Sequence, residues 1–286
     1  MSDRADLRRT DPPTVAALTV IGVQHTFGGG ADAAVGLNNV DFTVDTGDFV
    51  VVVGPNGSGK STLLDVIAGS VVPDRGSVYI AGRDVTRWPA HTRAGLVGRV
   101  FQNPFTGTAP HLTVAENLAL AVRRGMNGRW LHRALDPRTR QILANRLESL
   151  GMRLEDRLDT PAEALSGGQR QVLAAVMATL VRPKLLLLDE STAALDPRSA
   201  EQVIRVTREI VLRDRLTTLM VTHSMQQASR LGNRVVMMHE GRIVHDFGGV
   251  RRERLKVQEL LDRFDELRNT DLLDDSAAEL LRRQYV

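Results

Sequence analysis

Two kinds of apolar pattern alternate along the chain. Short unbroken apolar runs bounded by glycine or charge predict buried strands, while apolar residues spaced three and four apart predict amphipathic helices. Val50 to Val53 is a run of the first kind, and Leu63 to Ala68 follows as a helix that ends at Gly69. Leu185 to Leu188 is four leucines in succession, the composition of a strand covered on both faces in a parallel sheet. Thr217 to Val221 is another member of that sheet. Leu18 to Val23 and Val40 to Val44 predict short strands around the loop Gly28-Gly29-Gly30. Val78-Tyr79-Ile80 predicts a hairpin edge, and Gly98 to Phe101 a strand leading to Gln102. Arg234 to His239 and Arg242 to His245, joined by Glu240-Gly241, predict a last hairpin.

Between Gln102 and Leu165 the pattern turns helical. Pro104, Gly107 and Pro110 first mark a loop, and Thr113-Val114-Ala115-Glu116 then forms a capping box that starts a helix. Ile142, Leu143, Arg146, Leu147 and Leu150 give a second helix an apolar stripe, closed by Gly151. A long apolar helix is predicted from Gln171 to Val181. Asp196 and Pro197 have the N-cap and first-turn chemistry of a further helix, and Ser224 to Gln227 cap another. Val257, Leu260, Leu261, Phe264 and Leu267 again show helical spacing, and Asp271 to Arg283 suggests a final helix. This C-terminal part packs on its own domain or makes a dimer contact; Arg251 to Arg254 is a solvated linker, and Met1 to about Ala17 is a disordered tail.

Composition narrows the class without naming it. The 286 residues suffice for one large domain or two modest ones, and 42% hydrophobic with 25% charged residues is ordinary for a globular protein. A net charge of +3 gives no reason to expect a nucleic-acid partner. The absence of cysteine excludes disulfides and thiolate metal sites and suits a reducing compartment. No apolar run reaches the roughly 18 residues of a membrane span, so the expected location is cytoplasmic.

The chemistry begins at Gly54-Pro55-Asn56-Gly57-Ser58-Gly59-Lys60-Ser61-Thr62, a complete G-x-x-x-x-G-K-[ST] phosphate loop set between strand and helix. Glycines bring backbone N–H groups up to a phosphate, and the helix N-terminus adds about half a positive charge. Lys60 then reaches the β- and γ-phosphates and the Ser61 hydroxyl holds Mg2+. Downstream, Leu165-Ser166-Gly167-Gly168-Gln169 fits an S-x-x-Q helix cap, which accounts for Ser166 but not for two glycines; these open the helix start to an anion. Asp189 and Glu190 end the four-leucine strand, where ligands bind in open parallel sheets. His223 follows a second such strand, and Phe27 offers a flat face to a base or belongs to the core.

Taken in this order, these motifs resemble those of an ATP-binding-cassette ATPase subunit from about Leu18 to His245. The Leu-Ser-Gly-Gly-Gln pentapeptide ahead of the acidic strand is the most specific of them. The resemblance implies an α/β fold: a P-loop NTPase core with a parallel sheet, an antiparallel β subdomain and a helical insertion at about 103–168, within a domain at 18–249 and ahead of a helical tail at 250–286. It implies that Phe27 stacks on adenine, that Gly54 to Thr62 wrap the phosphates of ATP, and that Gln102 senses Mg2+ and the γ-phosphate. Asp189 holds the metal through water, Glu190 polarises the attacking water, and His223 contacts the γ-phosphate. Asp196 joins the nucleotide site, and Ser166, Gly167, Gly168 and Gln169 close over ATP held by a second copy in a head-to-tail homodimer.

The implied activity is hydrolysis of ATP to ADP and phosphate at the cytoplasmic face of the membrane. It is coupled to a separate transmembrane permease and an extracytoplasmic solute-binding protein. The helical insertion and the Gln102 loop around Phe101 to Thr108, which includes Phe105, are where the permease is received. Ser191 stands where a proline is frequent after the glutamate. The wording Phe101-Gln102-Asn103-Pro104, Met177-Ala178-Thr179-Leu180 and Met237-Met238-His239-Glu240 is similar to a bacterial importer branch linked to aromatic amino acids. The alternative is a non-transport cassette acting on nucleic acid or ribosomes.

Overall fold

The computed structural model describes residues 16–28, 33–124, 136–190, 195–248 and 262–263. In chain order the strands are β1 (Ala16–Phe27), β2 (Ala34–Asp45), β3 (Phe49–Val53), β4 (Arg75–Ile80), β5 (Arg83–Asp84), β6 (Val97–Val100), β7 (Leu185–Asp189), β8 (Thr218–Val221), β9 (Arg234–His239) and β10 (Arg242–Gly248). The helices are α1 (Lys60–Ala68), α2 (Ala90–Arg93), α3 (Val114–Val122), α4 (Pro137–Glu148), α5 (Gly167–Leu180), α6 (Pro197–Arg213) and α7 (Met225–Arg230).

Two sheets form. The central one runs β10-β9-β3-β8-β7-β6, parallel throughout except for the antiparallel edge strand β10; the other is antiparallel in the order β2-β1-β4-β5. Fully apolar strands have two faces to cover, and the alternation of side chains divides them cleanly. Val50, Val52, Leu185, Leu187, Leu219 and Val221 face a core shared with α1 and the antiparallel sheet. Val51, Val53, Leu186, Leu188 and Met220 face a second core built with α3, α4, α5 and α6. Each such fully buried aliphatic side chain contributes roughly 2 kcal/mol.

Several local expectations change. Ala16 and Ala17, assigned to a tail, open β1, where Leu18, Val20 and Val23 are buried. The first two strands are longer than their apolar runs because pairing with each other extends them, with bulges after Val20 and Val23. Phe27 ends β1 rather than lying in a loop. The segment Val78 to Ile80 is no edge, since β4 lies between β1 and β5. In α4, Leu143 and Leu147 are buried but Ile142 is 59% exposed, one residue off the covered face. Beyond α4 and Gly151 the chain adds a 3-10 turn at Glu155–Arg157. The helix expected from Gln171 begins four residues earlier, at Gly167.

The caps read from sequence form. Thr113 and Ser166 each complete a capping box, Asp196 accepts from Ser199 N, and Ser224 accepts from Gln227 N. Met1 to Val15, Gly29, Gly30, Ser191 and the C-terminal helices assigned to 250–286 lie outside the described residues, apart from the helical pair Asp262 and Arg263.

Candidate nucleotide site

The phosphate loop leaves β3 and enters α1 through three glycines with positive φ, Gly54, Gly57 and Gly59. Two of them have no room for a side chain. A Cβ on Gly54 would stand 2.2 Å from Met238 O in β9, and one on Gly59 would stand 2.4 Å from Gly36 O in β2. The loop is therefore clamped between the antiparallel sheet and the β9–β10 turn. Gly241 N donates to Ser58 O at 3.1 Å, and Asn38 N donates to Gly241 O at 2.9 Å. Ser58 and Lys60 are buried in this clamp.

Lys60 Nζ donates to Gly54 O at 2.9 Å and Pro55 O at 2.7 Å. Burial pushes its ammonium below the usual lysine range, while Glu190 and Asp189 pull the other way. A strong donor, kept close to neutral carbonyls and to two carboxylates, is what a triphosphate would recruit. Phe27 extends beside this loop. Its ring lies against Gly36, where a Cβ would meet Phe27 Cε2 at 2.6 Å and Thr62 Cγ2 at 3.1 Å. At 46% exposure, edge-on to His25, the ring is a surface face rather than a core residue.

At the carboxyl end of β7 the two acids divide. Asp189 follows Leu185 and Leu187 at period two, which turns it toward α1, and Arg99 NH2 donates to its Oδ2 at 2.9 Å. Glu190 has a φ of +36°, uncommon for a residue with a Cβ, and its N–H donates to Val221 O at 3.1 Å. Its carboxylate is met from both sides. Gln102 Nε2 lies 3.4 Å from Oε2, and His223 Nδ1 lies 3.4 Å from Oε1. His223 is itself held by a turn in which Ser224 N donates to Thr222 Oγ1 at 3.1 Å. The three residues come from β6, β7 and β8, so adjacent parallel strands deliver them to one end of the sheet.

The pentapeptide sits elsewhere. Ser166 caps α5 and Gln169 answers it, while Gln169 Nε2 also donates to Met152 O at 3.3 Å. A Cβ on Gly167 would stand 2.9 Å from Leu195 Cδ2, and one on Gly168 would stand 3.3 Å from Ser199 Cβ. Close approach to the start of α6 is thus a packing reason for Gly168 beside the anion binding expected of the pair, while at Gly167 the neighbour is the flexible end of the Leu195 side chain. Asp196 is engaged as the cap of α6, and hydrogen bonds from Ser199 hold its carboxyl below the usual range. The segment after Gln102 is tied to α5: Gln171 Nε2 donates to Phe101 O at 3.0 Å, and the Arg170 guanidinium lies 3.8 Å over the Phe105 ring.

The profile of the ABC transporter family matches residues 37–193, from β2 through the phosphate loop, the pentapeptide and the acidic strand end. The chain belongs to the ATP-binding-cassette ATPases. A tyrosine transport ATP-binding protein of Clostridioides difficile is 41% identical over 79% of this chain and 90% of its own length. It falls in the aromatic-amino-acid-like branch that the sequence resembled. An energy-coupling factor transporter ATP-binding protein of Geobacillus kaustophilus is 34% identical over 79% of this chain and 77% of its own. Among solved structures, a dimeric ATP-binding cassette in a post-hydrolysis state, bound to ADP and phosphate, is similar with a TM-score of 0.67 and 28% identity. That likeness covers 80% of this chain and 97% of the other.

As a cassette ATPase the protein takes ATP with Mg2+. The donor set fits that metal. Ser61 and Asp189 offer hard oxygens, the donor type that Mg2+ takes beside nucleotide phosphates.

Three features of the site escaped the sequence: the clamp by Gly36 and Gly241, the carboxylate bridge from Arg99 to Asp65 and Asp189, and the ties from Gln171 and Arg170 to the loop after Gln102. Only Arg99 carried a usable signal, being a charge within a predicted strand.

Proposed function

We propose that this chain is the ATP-hydrolysing subunit of an importer, working as a homodimer on a separately encoded permease at the cytoplasmic face of the membrane. In this reading Gly54 to Thr62 wrap the phosphates, Lys60 binds the β- and γ-phosphates, and Phe27 stacks on adenine. Ser61 and Asp189, with Gln102, would hold Mg2+, which would supply positive charge to offset that of the phosphates. The Glu190 carboxylate accepts a hydrogen bond from the attacking water and aligns it for in-line displacement, while His223 donates to the γ-phosphate. Ser166, Gly167, Gly168 and Gln169 of the second copy, with its Asp196 nearby, close the site. The observation that carries the proposal is the placement of Glu190 between Gln102 and His223 at the strand end nearest the phosphate loop.

The cargo proposed is an aromatic amino acid or a similar small solute, delivered by a solute-binding protein outside the membrane. Support comes from the named transport role of the Clostridioides difficile relative. Among the described residues no helix is long and apolar enough to cross a membrane, so on this reading the membrane path belongs to the permease. A groove of 440 Å³ between the Gln102 loop, α3 and α5 is where its cytoplasmic helix would seat. Glu190→Gln tests the chemistry: ATP binding should persist while turnover of the complex falls about a hundredfold or more. Normal turnover would remove Glu190 from its role.

A further inference from the structure

The Arg99 side chain is largely buried and joins two carboxylates. NH1 donates to Asp65 Oδ1 at 2.6 Å and NH2 to Asp189 Oδ2 at 2.9 Å, and the Phe101 ring lies 4.7 Å from the guanidinium. The arrangement follows from register. In the parallel pair β6–β7, Arg99 is opposite Leu187, so Asp189 is its diagonal neighbour on the same face. Asp65 reaches the same face from α1, five residues after Lys60. A buried ion pair of this kind adds little to stability, because desolvation offsets most of the attraction. Its position suggests a different use.

We infer that Arg99 is a positioning residue that holds the Asp189 carboxylate by one oxygen and tempers its charge, leaving the other oxygen for the metal's water. The inference rests on the assignment of Asp189 to Mg2+ proposed above. Among the described residues Arg99 is the hydrogen-bond partner of the Asp189 side chain, so its removal frees the second carboxylate oxygen for the metal's water as well. It also deletes one positive charge close to a divalent ion. Asp65 acts in the opposite sense, because it neutralises part of the guanidinium that Asp189 feels. Removing one or the other therefore shifts metal affinity in opposite directions, which damage to packing alone would not do.

The test uses the full chain loaded with ATP in a Glu190→Gln background, with Mn2+ as a spin probe and its affinity read by electron paramagnetic resonance. Arg99→Met should tighten Mn2+ binding by about fivefold, since a unit charge near a divalent ion counts for about that much even in a water-like dielectric. Asp65→Asn should weaken it about threefold, and Arg99→Lys, which keeps the charge, should stay near the parent. Asp189→Asn should weaken it at least about tenfold. If Asp189→Asn has no effect, the metal assignment itself is wrong. If Asp189→Asn weakens binding but Arg99→Met and Asp65→Asn leave it unchanged or move it the same way, the role of Arg99 is overturned while the assignment stands. Should Arg99→Met fail to fold, Asp65→Asn alone decides: weaker Mn2+ binding supports the inference and unchanged binding sinks it.

Discussion

Glu190 shows how a single residue can be placed by conflict between local preference and tertiary need. Its left-handed backbone is a cost of about 1 kcal/mol or more, sustained because the N–H completes the bond to Val221 and the carboxylate then reaches both Gln102 and His223. Phe27 illustrates the converse, an aromatic left on the surface although burial would stabilise the fold. Phe27→Ala should weaken nucleotide binding about tenfold and leave the melting temperature within a few degrees, since little core is lost. Isothermal titration with ATP in the Glu190→Gln background, paired with calorimetric melting, measures both; unchanged affinity would return Phe27 to a purely structural part. Lys60, Ser61 and Glu190 stood out as candidates in the sequence because they lie in contiguous motifs, and His223 because it follows an apolar strand. Arg99 showed only as a charge within a strand and Gly36 gave no sign, because each acquires its part from a partner strand whose register the sequence does not display.

At the level of elements, apolar runs and caps predicted nearly every strand and helix of the nucleotide-binding face. The mistakes fell where pairing or packing from afar decides: the extended β1, the interior place of β4, the earlier start of α5 and the exposed Ile142. A further link between elements was invisible for the same reason. Arg93, fully buried, donates to Val66 O, Ile67 O, Trp88 O and Thr86 O and so closes the C-terminal end of α1, with burial lowering its guanidinium to about 10. The loop after Gln102 is fixed to α5 in a comparable way, by the Phe105 ring on Arg170. Arg170 keeps three backbone acceptors without that ring, so α5 should survive its loss. Phe105→Ala is therefore expected to reduce recovery of the permease complex several-fold while soluble ATP binding stays intact. Affinity purification with the permease tagged reads the first quantity, and full recovery of the complex would contradict the docking assignment.

On the scale of the whole molecule, the central sheet separates the two halves of the nucleotide machinery. The helix α1 that follows the phosphate loop packs in the core on one face, and α5, which begins at the pentapeptide, packs in the core on the other. With α1 and α5 in different cores, the proposed function calls on a second copy to bring Ser166 to the phosphate loop. That the motifs belong to one cassette was legible in the sequence, since their order and spacing survive any folding. The opposition of the faces was not, because it depends on which side of each strand an odd or even residue occupies. Ser166→Asp sharpens the question: aspartate keeps the cap on α5 yet places a negative charge where the partner's γ-phosphate would lie. The most direct measurement is the solution mass of the Glu190→Gln protein with ATP and Mg2+, by light scattering, beside the same protein carrying Ser166→Asp. The account predicts a doubling of the 31.4 kDa chain that reverses when ADP replaces ATP and never forms with Ser166→Asp. A monomer under every nucleotide, or a dimer indifferent to Ser166→Asp, would contradict it.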